Sequence, residues 1–445
     1  MSEEQLRLGD FRSVGEEHSS DEIPVGYKKT EIGIIPEDWK VTSLDSIARV
    51  TSGKRLPPGR SLTDKITPYP YIRVSDLKRG SVSLNSIKYV PFDLFPSIRR
   101  YRIFEEDLFI SVAGTLGLVG KIPPLLHGAN LTENADRITD ITCSKEYLMY
   151  YLMSPLVQNV IDSLKTVGAQ PKLALTRIRK FVISLPSTVL EQRAIAEVLT
   201  DVDNLIESLD NLISKKQAIK KATMQRLLTG RTRLPGFKGE WKSVTIGSLG
   251  SVYGGLSGKN KQDFGEGNAF YVTFLNVLQN IVIDSSQFER VSVLKGEPQN
   301  IVRKGDLLFN GTSETPDELA MGAAVCDDFG ELYLNSFCFG FRIPNQISWN
   351  PLFFAYLFRS CVGREMLRSL SQGATRHNLS KSQFLQLVVC VPNYLEQQAI
   401  VSILSDLDAE IEALERQRDK MKQIKQGMMQ QLLTGRIRLL DKEAV

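Results

Sequence analysis

The sequence contains one unit of about 200 residues twice, and this duplication constrains the fold more than any other feature. The run Leu190-Glu191-Gln192 returns as Leu395-Glu396-Gln397, 205 residues later. Leu228-Thr229-Gly230-Arg231 returns as Leu433-Thr434-Gly435-Arg436 at the same offset. Upstream, Trp39-Lys40 matches Trp241-Lys242 at an offset of 202. Because offsets that drift by a few residues indicate loop insertions, the chain is predicted to hold the same architecture twice.

Each copy begins with a stretch of about 150 residues in which short β-branched and aromatic runs are bounded by Gly, Pro and Ser, as is typical of strands. In the first copy these runs are 71–74, 108–112 and 181–185; in the second they are 270–274, 307–309 and 387–391. A helix is predicted inside each copy, near 146–164 and 352–370. Asn350 is predicted as the N-cap of the second of these helices, with Pro351 as its first residue.

A long helical segment ends each copy. Its apolar residues recur with alternating steps of three and four, the spacing of a coiled-coil seam. The predicted seam residues are Val198, Val202, Leu205, Leu209 and Leu212 in the first helix, and Leu407, Ile411, Leu414, Met421, Ile424 and Met428 in the second. Gly230 and Gly435 occupy the position just past a helix end, where glycine is common.

These patterns predict an α+β fold with two β-rich domains, related by a pseudo-twofold repeat and separated by two long coiled-coil helices. The predicted boundaries are an acidic mobile tail at 1–26, the first β-rich domain at 27–186, a helical spacer at 187–236, the second β-rich domain at 237–392, a second helical spacer at 393–434, and a tail at 435–445.

Composition and absent motifs exclude several classes of protein. No apolar run approaches the length of a membrane span, residues 1–20 lack a secretory apolar core, and five cysteines without a Cys-x-x-Cys pair suit a reducing cytoplasm. With three histidines, a His-based metal site is not expected. The P-loop, the Gly-x-Ser-x-Gly elbow and the His-Glu-x-x-His helix are all missing. We therefore expect no metal and no catalytic centre.

Charge distinguishes the two β-rich domains. Residues 40–186 carry 21 basic and 12 acidic side chains, a net charge of +9, whereas residues 241–392 carry 13 of each. Because phosphate neutralisation drives much of nucleic-acid affinity, the first domain is predicted to bind a polyanion. The second domain gives no such electrostatic signal.

The order of short motifs resembles that of one known family. Ile35-Pro36-Glu37-Asp38-Trp39, the turn Gln170-Pro171-Lys172, and a Leu-Pro followed by Leu-Glu-Gln and a long helix are similar to the specificity subunits of Type I restriction–modification systems. The resemblance extends from about Tyr27 to Leu440 and includes the duplication. Each motif is short, and the specificity of the match comes from their ordered double occurrence.

The resemblance implies that each β-rich unit is a target-recognition domain for one half of a bipartite double-stranded DNA sequence. It implies that the two helical segments pack antiparallel, set the half-site spacing, and dock two modification (methyltransferase) subunits, which restriction (translocase/nuclease) subunits join. The chain itself would catalyse nothing, although the assembled complex would be an adenine-specific DNA methyltransferase and an ATP-dependent endonuclease. S-adenosylmethionine, ATP and Mg would then be held by the partner subunits.

Small polar and basic residues that follow predicted strands are the candidate DNA contacts, because loops on a rigid scaffold carry binding residues. In the first copy they are Lys54, Arg55, Arg73, Ser75, Thr115, Gln170 and Lys172; in the second they are Lys259, Lys261, Thr273, Asn276, Asn310, Thr312, Ser313, Thr375, Arg376 and His377.

Two other functions stay open on residues alone. The chain could carry its own methyltransferase or nuclease activity beside the reader domains, or it could be a coiled-coil scaffold whose β-rich domains bind proteins. Methyl transfer by the purified chain alone would favour the first alternative. Failure of the chain and a modification partner to retain specific DNA would favour the second.

Overall fold

The structure, a computed structural model, describes residues 23–163, 172–344, 349–373 and 375–439. It divides into two compact units, one of residues 1–207 with 419–445 and one of residues 208–418. Each unit therefore takes part of each long helix.

The first β-rich domain contains two four-stranded sheets. One is antiparallel with the order β11-β10-β13-β4, and the other has the order β8-β5-β12-β9 with β5 and β12 parallel. The strands are β1 (Tyr27–Thr30), β2 (Gly33–Pro36), β3 (Lys40–Ser43), β4 (Arg49–Ser52), β5 (Pro70–Ile72), β6 (Leu77–Lys78), β7 (Ser81–Val82), β8 (Lys88–Tyr89), β9 (Arg102–Ile103), β10 (Leu108–Ser111), β11 (Val119–Lys121), β12 (Ala129–Leu131), β13 (Ala135–Thr139) and β14 (Val182–Leu185). The helices are α1 (Leu44–Ile47), α2 (Phe95–Ile98), α3 (Lys145–Met153), α4 (Pro155–Ser163) and α5 (Leu175–Arg179).

The second β-rich domain repeats this topology. Its antiparallel sheet has the order β16-β23-β19-β21, and its second sheet, β18-β17-β22, again contains one parallel pair, β17 with β22. The strands are β15 (Lys242–Thr245), β16 (Ser251–Gly254), β17 (Phe264–Val272), β18 (Phe288–Val291), β19 (Leu307–Asn310), β20 (Thr312–Ser313), β21 (Gly322–Ala324), β22 (Leu332–Leu334), β23 (Cys338–Arg342), β24 (Ser371–Gln372), β25 (His377–Leu379) and β26 (Val388–Val391). The helices, with the two long ones included, are α6 (Val189–Leu227), α7 (Ile246–Leu249), α8 (Phe274–Gln279), α9 (Pro351–Arg359), α10 (Cys361–Arg368), α11 (Lys381–Gln386) and α12 (Tyr394–Leu432).

The helical region inside each copy is two helices and not the single helix that the sequence predicted. In the first domain α3 ends at Ser154 and Pro155 begins α4, because proline is favoured in the first turn of a new helix. In the second domain Ser360 ends α9 and caps α10 by accepting a hydrogen bond from the Gly363 amide. The predicted cap of α9 is confirmed, since the Asn350 side chain accepts from the Leu352 and Phe353 amides.

The two long helices pack antiparallel within each unit, as predicted. In the first unit Ile195 and Leu199 of α6 share a core cluster with Met429 and Leu432 of α12. In the second unit the Lys216 ammonium of α6 lies 2.5 Å from the Glu410 carboxylate of α12. Gly230 and Gly435 follow the helix ends with φ of +67° and +70°, the left-handed conformation that glycine adopts without a Cβ penalty.

The seam of α6 shares Val202 and Leu209 with the predicted stripe and differs from it at the other positions. The structure buries or half-buries Ile195, Leu199, Val202, Ile206, Leu209 and Ile213, which also alternate steps of four and three. Leu205 and Leu212 are 43% and 38% exposed, so these two predicted positions are wrong. Val198 is half-buried and packs against the core of the first unit. Two adjacent stripes carry the same spacing, and only packing selects between them.

The seam of α12 agrees better with the sequence. Leu407, Ile411, Leu414, Met421 and Met428 are at least half-buried, in a series that begins at Ile400 and Leu404. Ile424, at 39% exposed, lies outside this series, and that prediction is also wrong.

Charged residues occupy several seam positions, and each has a carboxylate partner on the opposite helix. Continuing the three-four steps places Lys216 and Lys220 in the α6 series and Arg418 and Lys425 in the α12 series. In the second unit Lys220 pairs with Asp408, and Arg418 lies 3.4 Å from Asp210. In the first unit Lys425 lies 2.6 Å from Asp203. The helices are therefore joined by apolar packing interrupted by cross-helix ion pairs.

The glutamate of the duplicated Leu-Glu-Gln run forms a buried ion pair with an arginine in each unit, and this pair is the latch of that unit. Glu191, 2% exposed, accepts hydrogen bonds from Arg438 and from the Trp39 indole. In the second unit Glu396, 1% exposed, accepts two hydrogen bonds from Arg233 at 2.6 and 2.7 Å. Each arginine lies just past the end of the other long helix. Through Arg438 the segment 435–439 packs on the first domain, although the sequence predicted a tail at 435–445.

The glutamine of the same run joins each domain to its long helix. Gln192 accepts from the Ser144 amide and donates to the Pro186 carbonyl. Gln397 makes the same two bonds, to the Asn350 amide and the Pro392 carbonyl. The recurring residues are thus explained by recurring buried hydrogen bonds.

Arg438→Ala is expected to destabilise the first unit by about 3–5 kcal/mol, because it leaves the Glu191 carboxylate buried without its charged partner. Urea unfolding followed by circular dichroism measures the change. The matched control is Arg436→Ala, two residues away and exposed, which should leave the midpoint almost unchanged. Equal midpoints for the two variants would show that the latch contributes little.

Candidate nucleic-acid interface

A basic cavity of about 350 Å³ opens on the first β-rich domain. Strand β4 contributes Arg49, Thr51 and Ser52, and the paired strand β13 contributes Arg137. The segment before β9 contributes Arg100 and Tyr101, and β9 itself contributes Arg102. Gly53 and Leu131 complete the lining. The wall therefore holds four arginines, one aromatic ring and no carboxylate.

Two of the four arginines are not neutralised. Arg49 lies 2.7 Å from Asp140, and Arg137 lies 3.6 Å from Asp107. Within the described part of the chain, neither Arg100 nor Arg102 has a carboxylate partner: Arg100 donates to the Tyr101 hydroxyl and Arg102 to the Gly128 carbonyl. A concave surface with uncompensated guanidinium groups is suited to an anion such as a phosphate.

Two glycines let the backbone approach this cavity. A Cβ on Gly53 would lie 2.0 Å from the Thr132 carbonyl oxygen, so only glycine allows this close approach between the two segments. Gly128 has a φ of +78°, and a Cβ there would lie 2.1 Å from the Arg102 guanidinium. A larger residue at either position would displace the cavity wall.

The predicted Lys54 and Arg55 directly follow Gly53 of the cavity lining and are exposed. The Lys54 ammonium lies 5.9 Å from the centre of the Tyr101 ring, and its carbonyl accepts from the Tyr71 hydroxyl. Burial raises the pKa of Tyr71 to about 12, so this hydroxyl keeps its proton and holds the loop. The loop is therefore anchored at its backbone while the Lys54 side chain remains available.

Arg55 is exposed but partly neutralised by Glu133, 2.7 Å away. Burial would raise the pKa of Glu133, but the hydrogen bonds that it accepts from Arg55 and Thr132 hold it below its usual value. A neighbouring depression of about 340 Å³ contains Arg55, Arg60, Arg73 and Lys88, each paired with a carboxylate. Uncompensated charge is thus found in the first cavity and not in the second.

The other predicted residues of the first domain have different environments. Ser75, Thr115 and Lys172 are exposed. Arg73 is half-buried and donates to both carboxylate oxygens of Asp76, which favours a structural role. Gln170 lies outside the described residues.

In the second domain the structure brings five predicted residues to one place. Thr312 and Ser313 form β20, which pairs with β25 so that Ser313 lies opposite His377. Thr375 and Arg376 stand on the connection between β24 and β25, and both are exposed. The Arg376 guanidinium lies 5.4 Å from the ring centre of Phe337, itself 51% exposed. A cation beside an exposed aromatic ring suits contact with a base or a phosphate.

Several predicted contacts of the second domain use their polar atoms inside the protein, and for the fully buried Asn276 and Asn310 the prediction is wrong. Asn276 is fully buried in α8 and donates to the Asp284 carbonyl, and Thr273 caps that helix. Asn310 is fully buried and bonds to the Thr312 and Glu318 carbonyls and to the Met321 amide. Ser313 is 7% exposed, with its hydroxyl accepting from the Thr315 amide.

The two lysines of that set differ. The Lys259 side chain is 7% exposed and lies 2.6 Å from Glu297, so the prediction that it contacts DNA is wrong. Hydrogen bonds, first of all from Lys259, lower the pKa of Glu297 to about 2 and keep that pair ionised. Lys261 is exposed at the start of a short 3-10 helix and stays a candidate.

The arginines of the first cavity were missed by sequence reasoning. The run Arg99-Arg100-Tyr101-Arg102, basic with an aromatic residue, was a usable signal in the sequence. Arg49 and Arg137 gave no signal, because they are 88 residues apart and only the pairing of β4 with β13 places them on the same wall.

The described residues hold neither a candidate metal-binding cluster nor a helix that could span a membrane. No group of three or more His, Cys, Asp or Glu side chains that could hold a metal ion occurs among them. None of the helices within the described ranges is long and apolar enough to cross a membrane.

The structure thus repeats one sheet topology beside paired long helices, with a basic cavity on the first copy and an arginine beside an exposed aromatic ring on the second. The family described as "Type I restriction modification DNA specificity domain" matches residues 36–217 and again residues 238–423. The chain belongs to this family, as a specificity subunit that selects DNA sequence and is not itself an enzyme.

Relatives of known name agree with this assignment. A putative type I restriction enzyme MjaX specificity subunit from Methanocaldococcus jannaschii is 26% identical over 442 residues, 93% of this chain and 97% of the relative. The EcoBI specificity subunit of Escherichia coli is 25% identical over 222 residues, 46% of this chain and 44% of that protein.

Solved structures show the same fold. A chain from a study of complex assembly and conformational transition of the type I R-M system aligns with a TM-score of 0.56 at 17% identity, covering 91% of this chain and 99% of that one. The S subunit from M. genitalium aligns with a TM-score of 0.53 at 15% identity, covering 88% and 96%.

Arg100→Ala is expected to weaken binding of all DNA sequences alike and to lower the slope of log affinity against log salt by about one unit, as loss of a phosphate contact does. Fluorescence anisotropy of the chain with labelled DNA over a salt series measures both quantities. Arg99→Ala is the matched control, since Arg99 is exposed but does not line the cavity. An unchanged salt slope would show that Arg100 makes no phosphate contact.

Arg376→Ala is expected to cost about 1–3 kcal/mol of binding and to relax one position of one half-site if Arg376 contacts a base. Methylation mapping of genomic DNA gives the relaxed position, and anisotropy gives the affinity. Phe337→Ala tests whether the ring positions the guanidinium and should relax the same position. Unchanged affinity and unchanged sequence preference would show that Arg376 belongs to an ordinary solvated turn and makes no DNA contact.

Proposed function

We propose that this chain recognises a bipartite double-stranded DNA sequence, with each β-rich domain contacting one half-site. The observation that carries the proposal is the duplication of one sheet topology with different surfaces on the two copies. The first copy presents the arginine cavity, and the second presents the small sheet β20-β25-β24 with Arg376. A common scaffold with different contact surfaces is what independent recognition of two sequences requires.

The proposed partners follow from the division of labour in the family. Two modification subunits would dock on the long helices and the domains, and restriction subunits would join that complex in the cytoplasm. S-adenosylmethionine, ATP and Mg would be bound by those partners. Exposed apolar residues of the long helices, Leu190 at 69% and its repeat equivalent Leu395 at 68%, support a docking surface that occurs once per repeat.

The long helices are proposed to set the distance between the half-sites. Each spans 39 residues, which is about 58 Å at 1.5 Å per residue. One turn of DNA is about 34–36 Å, so helices of this length match the scale of a bipartite target. Half-site spacing would then be a property of protein geometry.

Exchange of residues 40–186 for the matching domain of a relative is expected to change one half of the methylated sequence and leave the other half unchanged. The test is mapping of methylated adenines in cells that express the hybrid chain with its partners. The unexchanged chain gives the reference sequence.

A change in both half-sites, or methylation at sites without two parts, would contradict two independent recognition domains. The purified chain without partners is the control for catalysis, and it should transfer no methyl group from radiolabelled S-adenosylmethionine to DNA. Transfer by the chain alone would overturn the assignment of cofactors to the partners.

A further inference from the structure

One set of three side chains joins the first β-rich domain to both long helices. The Tyr150 hydroxyl on α3 donates to Oδ2 of Asp203 on α6 at 2.9 Å. The Lys425 ammonium on α12 donates to Oδ1 of the same carboxylate at 2.6 Å and lies 5.3 Å from the centre of the Tyr150 ring. Three elements distant in sequence therefore meet at one carboxylate.

The second unit contains the same set at equivalent positions. The Tyr356 hydroxyl on α9 donates to Oδ2 of Asp408 on α12 at 2.7 Å, and Lys220 on α6 donates to Oδ1 of that aspartate. The Lys220 ammonium lies 5.8 Å from the Tyr356 ring centre. The residues of the two sets are 205 or 206 positions apart, and the roles of the long helices are exchanged.

Both lysines occupy seam positions that an apolar residue would fill with greater stability. Their side chains are only 14% and 19% exposed. Polar residues at such positions specify the register of a coiled coil at a cost in stability. Their partners add a second requirement, because each aspartate must also meet a tyrosine that belongs to the β-rich domain.

We propose that these two Tyr–Asp–Lys triads are positioning joints that hold each recognition domain at one angle on its helix pair and so restrict the number of base pairs allowed between the half-sites. The proposal rests on the bipartite recognition proposed above. Loss of a joint leaves the recognition surfaces intact, because no triad residue lines the arginine cavity or the β20-β25-β24 sheet.

The geometry of DNA makes this restriction measurable. One additional base pair moves a half-site by about 3.4 Å along the axis. It also rotates that half-site by about 35° at 10–10.5 base pairs per turn. A domain held by its triad cannot accommodate both the axial shift and the rotation of its half-site. A domain without the triad contact can tilt toward the displaced half-site.

The experiment uses the full chain in complex with its modification partners. Duplexes carry the native half-sites with the native gap or with one or two base pairs more or fewer, and methyl transfer from radiolabelled S-adenosylmethionine is measured on each. The variants are Tyr150→Phe, Tyr356→Phe and Lys425→Met, where methionine keeps an apolar seam. Arg416→Gln is the control, since Arg416 pairs along its own helix with Glu412 and both side chains are at least 65% exposed.

We expect the preference for the native gap over a gap changed by one base pair to fall about tenfold in each triad variant, as loss of a charge-assisted hydrogen bond allows. The half-site sequences should stay the same, and Arg416→Gln should behave as the unaltered chain. Lys425→Met separates positioning from stability, because it should relax the gap without lowering the melting temperature.

An unchanged gap preference in Tyr150→Phe and Tyr356→Phe would overturn the proposal, whatever their melting temperatures. A relaxed gap only in proportion to a lowered melting temperature, with Lys425→Met unaffected in both, would also overturn it and leave the triads a structural role. Failure of the bipartite model itself gives a different result, since the unaltered complex would then show no gap dependence on the panel.

Discussion

The buried glutamate at the start of each long helix is the interaction on which the two units depend. Glu191 and Glu396 are almost completely buried, and each is matched by an arginine just past the end of the other long helix. Because a buried charge without its partner costs several kcal/mol, each unit is stable only when its own helix and the returning chain are both in place. The Leu-Glu-Gln run at the start of one long helix and the arginine just past the end of the other are therefore the two sides of one contact.

Charged pairs also replace apolar contacts along the seam between the long helices. An apolar seam would hold them together more strongly, yet lysines occupy seam positions and are balanced by Asp203 and Asp408. Such pairs exchange stability for a single register. Because Tyr150 and Tyr356 join the same carboxylates, the register of the helices and the placement of the domains are determined together.

On this common scaffold the two domains present different chemistry. The first carries the excess positive charge of the protein, and two arginines of its cavity lack carboxylate partners among the described residues. The second is neutral in net charge and brings Arg376, Phe337 and the β20-β25-β24 sheet to its surface. Long-range electrostatic attraction to DNA is thus concentrated in the first domain, while the second depends on short-range contacts.

The sequence by itself determined the duplication, the strand-rich and helical parts of each copy and the glycines that end the long helices, because repeats, periodicity and capping are local in the chain. The antiparallel packing of the long helices was implied by the family resemblance. Only the tertiary structure selected the stripe of α6 that is buried, since Leu205 and Ile206 fit equivalent three-four patterns. It also placed the amides of Asn276 and Asn310 inside the second domain and brought Arg49 beside Arg137. Those outcomes depend on strand pairing between distant segments, which decides whether a polar side chain meets the protein or the solvent.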